Sequence, residues 1–167
     1  MLRHVRVISA AVGLLLAAGC QSQASRLPYA FRPAETAAVR VLLAGRPGWR
    51  LATRSDNADP QLDSLRRREP GYEPYLRRGD WDRDGREDFA VVLRRDTAFV
   101  VYWFRAKAEG GYQPAAEVAA AAWLREGGLF SREGALVLAP FASDELWIFR
   151  WDAARSELRL VDSDSGG

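Results

Sequence analysis

Cysteine, histidine and methionine occur once each among the 167 residues of this chain. A single cysteine, Cys20, excludes an internal disulfide, so the domain must be held by burial and polar contacts alone. A single histidine, His4, leaves too few nitrogen and sulfur donors for an ordinary structural zinc site. The apolar run from Val7 to Ala18 is shorter than the roughly 20 residues that cross a bilayer as a helix. No sign of charge dominates: 24 basic residues stand against 22 acidic ones.

The N-terminus has the layout of an export signal. Arg3, His4 and Arg6 form a basic start, the run Val7–Ala18 follows, and Leu16-Ala17-Ala18-Gly19-Cys20 closes it. This last stretch resembles the lipobox of bacterial lipoproteins, with Ala17 where leucine is commoner. The resemblance implies cleavage before Cys20 and acylation of Cys20, hence a membrane partner reached through a lipid anchor. Gln21 is not the aspartate that retains such proteins at the inner membrane, so the implied location is the outer membrane, facing the periplasm. Residues 1–19 then form the signal and residues 20–31 a tether.

Loss of that signal sharpens the absences. His4 departs with it and Cys20 is acylated, leaving no imidazole and no free thiol. Histidine triads, cysteine nucleophiles and redox pairs are excluded. Any chemistry would fall to carboxylates, serine, Lys107, tyrosine or metal-bound water. The signal also removes Arg3 and Arg6, so 24 basic residues become 22 against 22 acidic ones. The pI near 9.0 is therefore partly a property of the signal. No stripe of cations for phosphate remains, and the chain is expected to bind no nucleic acid. The run Arg66-Arg67-Arg68 is read as the solvated end of a short helix.

The body of the chain alternates turn signals with apolar runs. Pro33–Gly45 predicts a helix, with Pro33 at its start, Glu35 in its first turn and Gly45 at its stop. Ala38, Val41 and Leu42 are expected to face a sheet. Gln61–Arg68 predicts a second helix, and Trp49–Thr53 a strand. Phe89–Leu93 and Ala98–Phe104 predict a hairpin across Arg95–Thr97. Both faces of these two strands are apolar, which places them at the centre of a sheet. Further strands are expected within 112–119, 135–138, 145–151 and 157–161, while 119–125 suits helix and strand equally. The fold class is α+β, with an antiparallel sheet of five or six strands and the first helix on one face. A single domain spans 32–162, and 163–167 form a flexible tail. Each large aromatic buried contributes about 1.5–3 kcal/mol, enough for a small domain to dispense with disulfides.

One loop carries chemistry. Asp80-Trp81-Asp82-Arg83-Asp84-Gly85-Arg86-Glu87-Asp88 sets carboxylates at the first, third, fifth and ninth positions, with glycine at the sixth. Hard cations take about six to eight oxygen ligands, which alternate carboxylates in a tight loop supply. The loop resembles the calcium motif of FG-GAP and VCBS repeats, D-x-D-x-D-G-x-x-D followed by a strand. That resemblance implies a calcium ion held by Asp80, Asp82, Asp84 and Asp88 with the backbone carbonyl of Arg86. An EF-hand is excluded because its twelfth position needs an acid and here holds Val91. The single copy excludes a complete β-propeller, since Asn57–Asp63 echoes the spacing but lacks the glycine. The competing reading is a solvated turn whose acids pair with Arg77, Arg78, Arg83 and Arg86.

These features predict a non-enzymatic, calcium-braced envelope lipoprotein that binds or supports another envelope component, protein or glycan. Trp81, in the loop, is the candidate contact residue. The alternative is a carbohydrate- or peptidoglycan-active enzyme or a sugar-binding module, in which the tryptophans would stack on sugar rings. Glu87 is the nearest spare carboxylate for catalysis, but alternation turns it away from the ion.

Overall fold

The computed structural model describes residues 27–164. The expected signal, Cys20 and residues 165–167 lie outside that range. Two helices, α1 (Pro33–Ala44) and α2 (Gln61–Arg68), accompany nine strands. These are β1 (Arg50–Leu51), β2 (Leu76–Gly79), β3 (Asp88–Arg95), β4 (Ala98–Phe104), β5 (Ala116–Ala120), β6 (Gly127–Arg132), β7 (Ala135–Pro140), β8 (Leu146–Asp152) and β9 (Glu157–Asp164). The class is α+β, as the sequence predicts. The strands divide into two antiparallel sheets, of five and four strands, rather than one.

This division explains why β3 and β4 are apolar on both faces. Strand side chains alternate, so each face needs its own cover. Phe89, Val91, Leu93, Val100, Tyr102 and Phe104 face α1, whose Val39 is fully buried against them. Ala90, Val92, Phe99, Val101 and Trp103 face the second sheet, meeting Leu129, Leu136, Leu138, Phe149 and Leu158. The order across the molecule is helix, first sheet, second sheet. β3 is the hub, pairing with β4 along one edge and with β1 and β2 in succession along the other.

The second sheet is a meander, β6-β7-β8-β9. Trp147, Phe149 and Trp151 pack on one face of β8, as their spacing predicts. Residues 122–126 form a 3-10 turn, which settles the ambiguous stretch before β6. β9 continues through Asp164, so the paired backbone extends beyond the position where a tail is expected.

Two placements differ from the sequence reading. Val41 is 76% exposed, and Val39 takes the buried position instead. The reason lies one turn earlier: Glu35 is drawn inward by Arg78, and its register places Val39, one helical turn on, against the sheet. In addition, Leu27, Tyr29 and Phe31, expected in the tether, pack against the first sheet. Phe31 meets Phe89 edge-on at 6.2 Å between ring centroids, and the Tyr29 hydroxyl donates to the Ala52 carbonyl at 2.5 Å.

Candidate metal centre

The acidic loop joins β2 to β3, which pair side by side, so its two ends are fixed by Gly79 opposite Asp88. Within that span the chain folds onto its own carboxylates. Asp80 Oδ1 accepts the Asp84 N–H at 3.0 Å and Asp80 Oδ2 the Gly85 N–H at 2.9 Å. Asp82 Oδ1 accepts the same Asp84 N–H at 3.1 Å, and Asp84 Oδ1 the Arg86 N–H at 2.9 Å. Short acidic side chains that bond their own backbone two residues on favour such turns. Gly85 sits at φ +83°, where a Cβ is disfavoured, which is why the sixth position is glycine.

Asp80, Asp82 and Asp84 converge. One carboxylate oxygen from each lies within 4.8 Å of the others. Asp88, the fourth expected ligand, is not part of that cluster. It is fully buried at the start of β3, where Oδ1 accepts the Ala106 N–H at 2.9 Å. Its Oδ2 is buried without a well-formed hydrogen bond, and the Trp103 indole N–H, which also lacks one, is directed at the same carboxylate from longer range. A buried carboxylate oxygen left unpaired is costly and calls for a cation or a proton.

Part of the charge is met by arginines. Asp82, whose side chain is wholly buried, pairs with Arg105 Nε, and Asp84 pairs with Arg86. Arg105 also lies 3.7 Å from Asp84. The other arginines proposed as partners go elsewhere: Arg77 to Glu69 and Arg78 to Glu35. Glu87 pairs with Arg32 at 2.5 Å, away from the cluster. Arg105 is the member that sequence reasoning missed. It follows the end of β4, 23 residues from Asp82, and no local pattern marks it.

The residues fit a hard cation. The donors are all oxygen, three of them converge, and the nearby Asp88 carries an unpaired buried oxygen. Asp80, Asp82 and Asp84 would hold the ion. Its charge would replace that of Arg105 and Arg86, whose ion pairs occupy the same carboxylates.

Trp81 is corrected. It is 1% exposed, its indole N–H donating to Ser131 Oγ at 3.2 Å beneath the second sheet. Alternation through the loop turns the aspartates to one side and this ring to the core. An exposed contact surface at Trp81 is ruled out by that burial.

Burial raises Asp88 to about 6 from an ordinary value of 3.8, against the opposing hydrogen bond from Ala106 and with a smaller push from Asp82. The folded protein then keeps a proton between about pH 4 and 6 that the unfolded chain has released. Without metal, this group's contribution to stability falls as pH rises through that window. Metal-free protein is expected to melt at a higher temperature at pH 5 than at pH 7. Added calcium should narrow or invert that difference, because a cation held by Asp80, Asp82 and Asp84 would favour the charged form of the nearby Asp88. Thermal melts followed by circular dichroism at both pH values, with and without calcium, check this.

No family model, curated protein or solved structure matches the chain.

Proposed function

We propose that this protein is a non-enzymatic envelope lipoprotein whose folded domain is braced by one calcium ion and serves to bind or support another envelope component. The observation that carries the calcium reading is the convergence of Asp80, Asp82 and Asp84 beside the unpaired buried oxygen of Asp88. The ion's role is structural. It closes the loop between two strands of the sheet hub, and with a dissociation constant of order 0.1 mM, ~1 mM calcium would stabilise the fold by about 1.4 kcal/mol. Magnesium fits less well, because it prefers a rigid octahedron that retains several waters.

The anchor rests on the resemblance of Leu16–Cys20 to a lipobox. Among the described residues no helix is long and apolar enough to cross a membrane.

Calcium titration of the full-length chain by calorimetry is expected to give one saturable site, with a rise in melting temperature of several degrees at millimolar calcium. Asp82→Ala with Asp84→Ala should abolish both. Equal calcium binding by that double variant would overturn the site. Cys20→Ala should move the protein from the membrane fraction to the soluble one, and an unchanged distribution would overturn the anchor.

A further inference from the structure

Beside the acidic loop lies a cleft of about 300 Å³, lined by Trp81, Arg83, Gly134, Arg150 and Trp151. It is bounded by the loop on one side and by the β6–β7 turn and β8 on the other. Two guanidinium groups share it. Neither Arg83 nor Arg150 forms an ion pair among the described residues. Arg150 has a single long hydrogen bond, to the Glu133 carbonyl at 3.4 Å.

The position of Arg83 is set by the loop. Its backbone is held at φ 61°, between the two aspartates whose carboxylates turn the other way. Its guanidinium lies over Gly134, with Nε only 3.3 Å from where a Cβ would stand. The hairpin thus leaves space for this cation. Arg83 is exposed and Arg150 partly buried, so both guanidinium groups are hydrated at the cleft and can be reached by an anion from solvent.

A third arginine completes the setting. Arg105 lies over the Trp151 ring at 4.6 Å from its centroid, while its Nε donates to Asp82 and its outer nitrogen lies 3.7 Å from Asp84. It covers one face of Trp151, against which Trp103 also packs at 5.4 Å between ring centroids. The remaining surface of that ring borders the cleft, with Arg83 and Arg150 free for a ligand. Arginine forks match carboxylate and phosphate oxygens two at a time. The cleft is at the small end of ligand sites, the size of one ring with its substituents.

We propose that this cleft binds a small anionic saccharide, a sugar acid or sugar phosphate, with Arg83 and Arg150 holding the anion and Trp151 forming the wall along which the ring lies. The cleft can be tested apart from the metal, because Arg150 and Trp151 belong to the second sheet and only Arg83 is carried by the acidic loop.

The test uses the full-length chain, calcium-loaded and metal-free, titrated with glucuronate, glucose 1-phosphate and uncharged glucose. Binding is read by calorimetry and by tryptophan fluorescence, since Trp81 and Trp151 line the cleft. At least one charged sugar should bind saturably, in either metal state, and glucose should not. The preferred one identifies the anion. Arg150→Ala should weaken that binding at least tenfold with an unchanged melting temperature. Arg83→Lys with Arg150→Lys should also weaken it, because charge remains but the forks are lost.

The proposal is overturned if the charged sugars bind no better than glucose in both metal states. It is equally overturned if Arg83→Ala with Arg150→Ala binds as wild type does. A calcium response without a sugar response removes the cleft and leaves the metal reading intact. A sugar response without a calcium response does the reverse.

Discussion

Trp81→Ala is expected to destabilise the domain by about 3–5 kcal/mol, the range for removing a large buried aromatic side chain. The ring is enclosed, and its N–H is committed to Ser131. It also lies against Gly79, where a Cβ would stand 2.7 Å from the indole nitrogen. The void left by alanine cannot be filled by strand β2, which is fixed by its pairing with β3. Since small domains are stable by only about 5–15 kcal/mol, much of the total would go. Urea unfolding followed by circular dichroism measures it. A contact residue on the surface would give the opposite result, an unchanged midpoint with a lost partner.

Removal of Arg78 ranks next. Glu35, with no exposed side-chain surface, receives Arg78 Nε and an outer nitrogen at 2.7 Å each, and the Arg32 N–H at 2.8 Å. Burial alone would favour the neutral acid, but these bonds outweigh it and hold the carboxyl below its usual range. Glu35 thus contributes stability above its ordinary pKa, and that contribution is lost as pH falls through the lowered value. Arg78→Ala leaves the carboxylate buried and unpaired, a loss of about 3–5 kcal/mol.

Glu35→Gln is expected to cost less, because Arg78 is partly exposed and can turn to water. Arg78→Met with Glu35→Leu should recover most of the stability, since an apolar pair of similar volume replaces the ions without a desolvation penalty. The Arg78→Ala variant should also become more stable as pH is lowered toward the range where Glu35 protonates. Chemical denaturation of the four proteins at pH 5 and pH 7 separates these outcomes.

Patterns that are local in sequence were legible. The hairpin β3–β4 announces itself by apolar residues on both faces, and α2 by its length and flanking prolines. The acidic loop is visible from four aspartates and one glycine at fixed spacing. What was hidden depends on partners far along the chain. β2 reads as Leu-Arg-Arg-Gly, poor in strand formers, and is strand only because β3 pairs with it. Its two arginines are matched by Glu69 and Glu35 from other elements.

β6 opens with two glycines, which suggest a turn. They stand in a strand because the backbone of Ala139 and the Tyr72 hydroxyl come too close for any side chain. In helix α1 the expected stripe misplaced Val41, because the buried carboxylate of Glu35 turns Val39 inward instead. The same holds at the loop, where spacing marks the acids but Arg105 enters from the end of another strand.

The packing of Leu27, Tyr29 and Phe31 has a consequence for where this domain can work. These side chains fasten the first described residues to the first sheet, so Leu27 already belongs to the folded body. Should Cys20 carry acyl chains, only six residues, 21–26, would separate it from that body. At full extension, about 3.3–3.6 Å per residue, that stretch reaches roughly 20–25 Å. A domain of this size is about 35–40 Å across, by the usual scaling of radius with length. The body would therefore lie closer to the bilayer than its own width. A partner of such an anchored domain would then be met within that thin layer beside the bilayer.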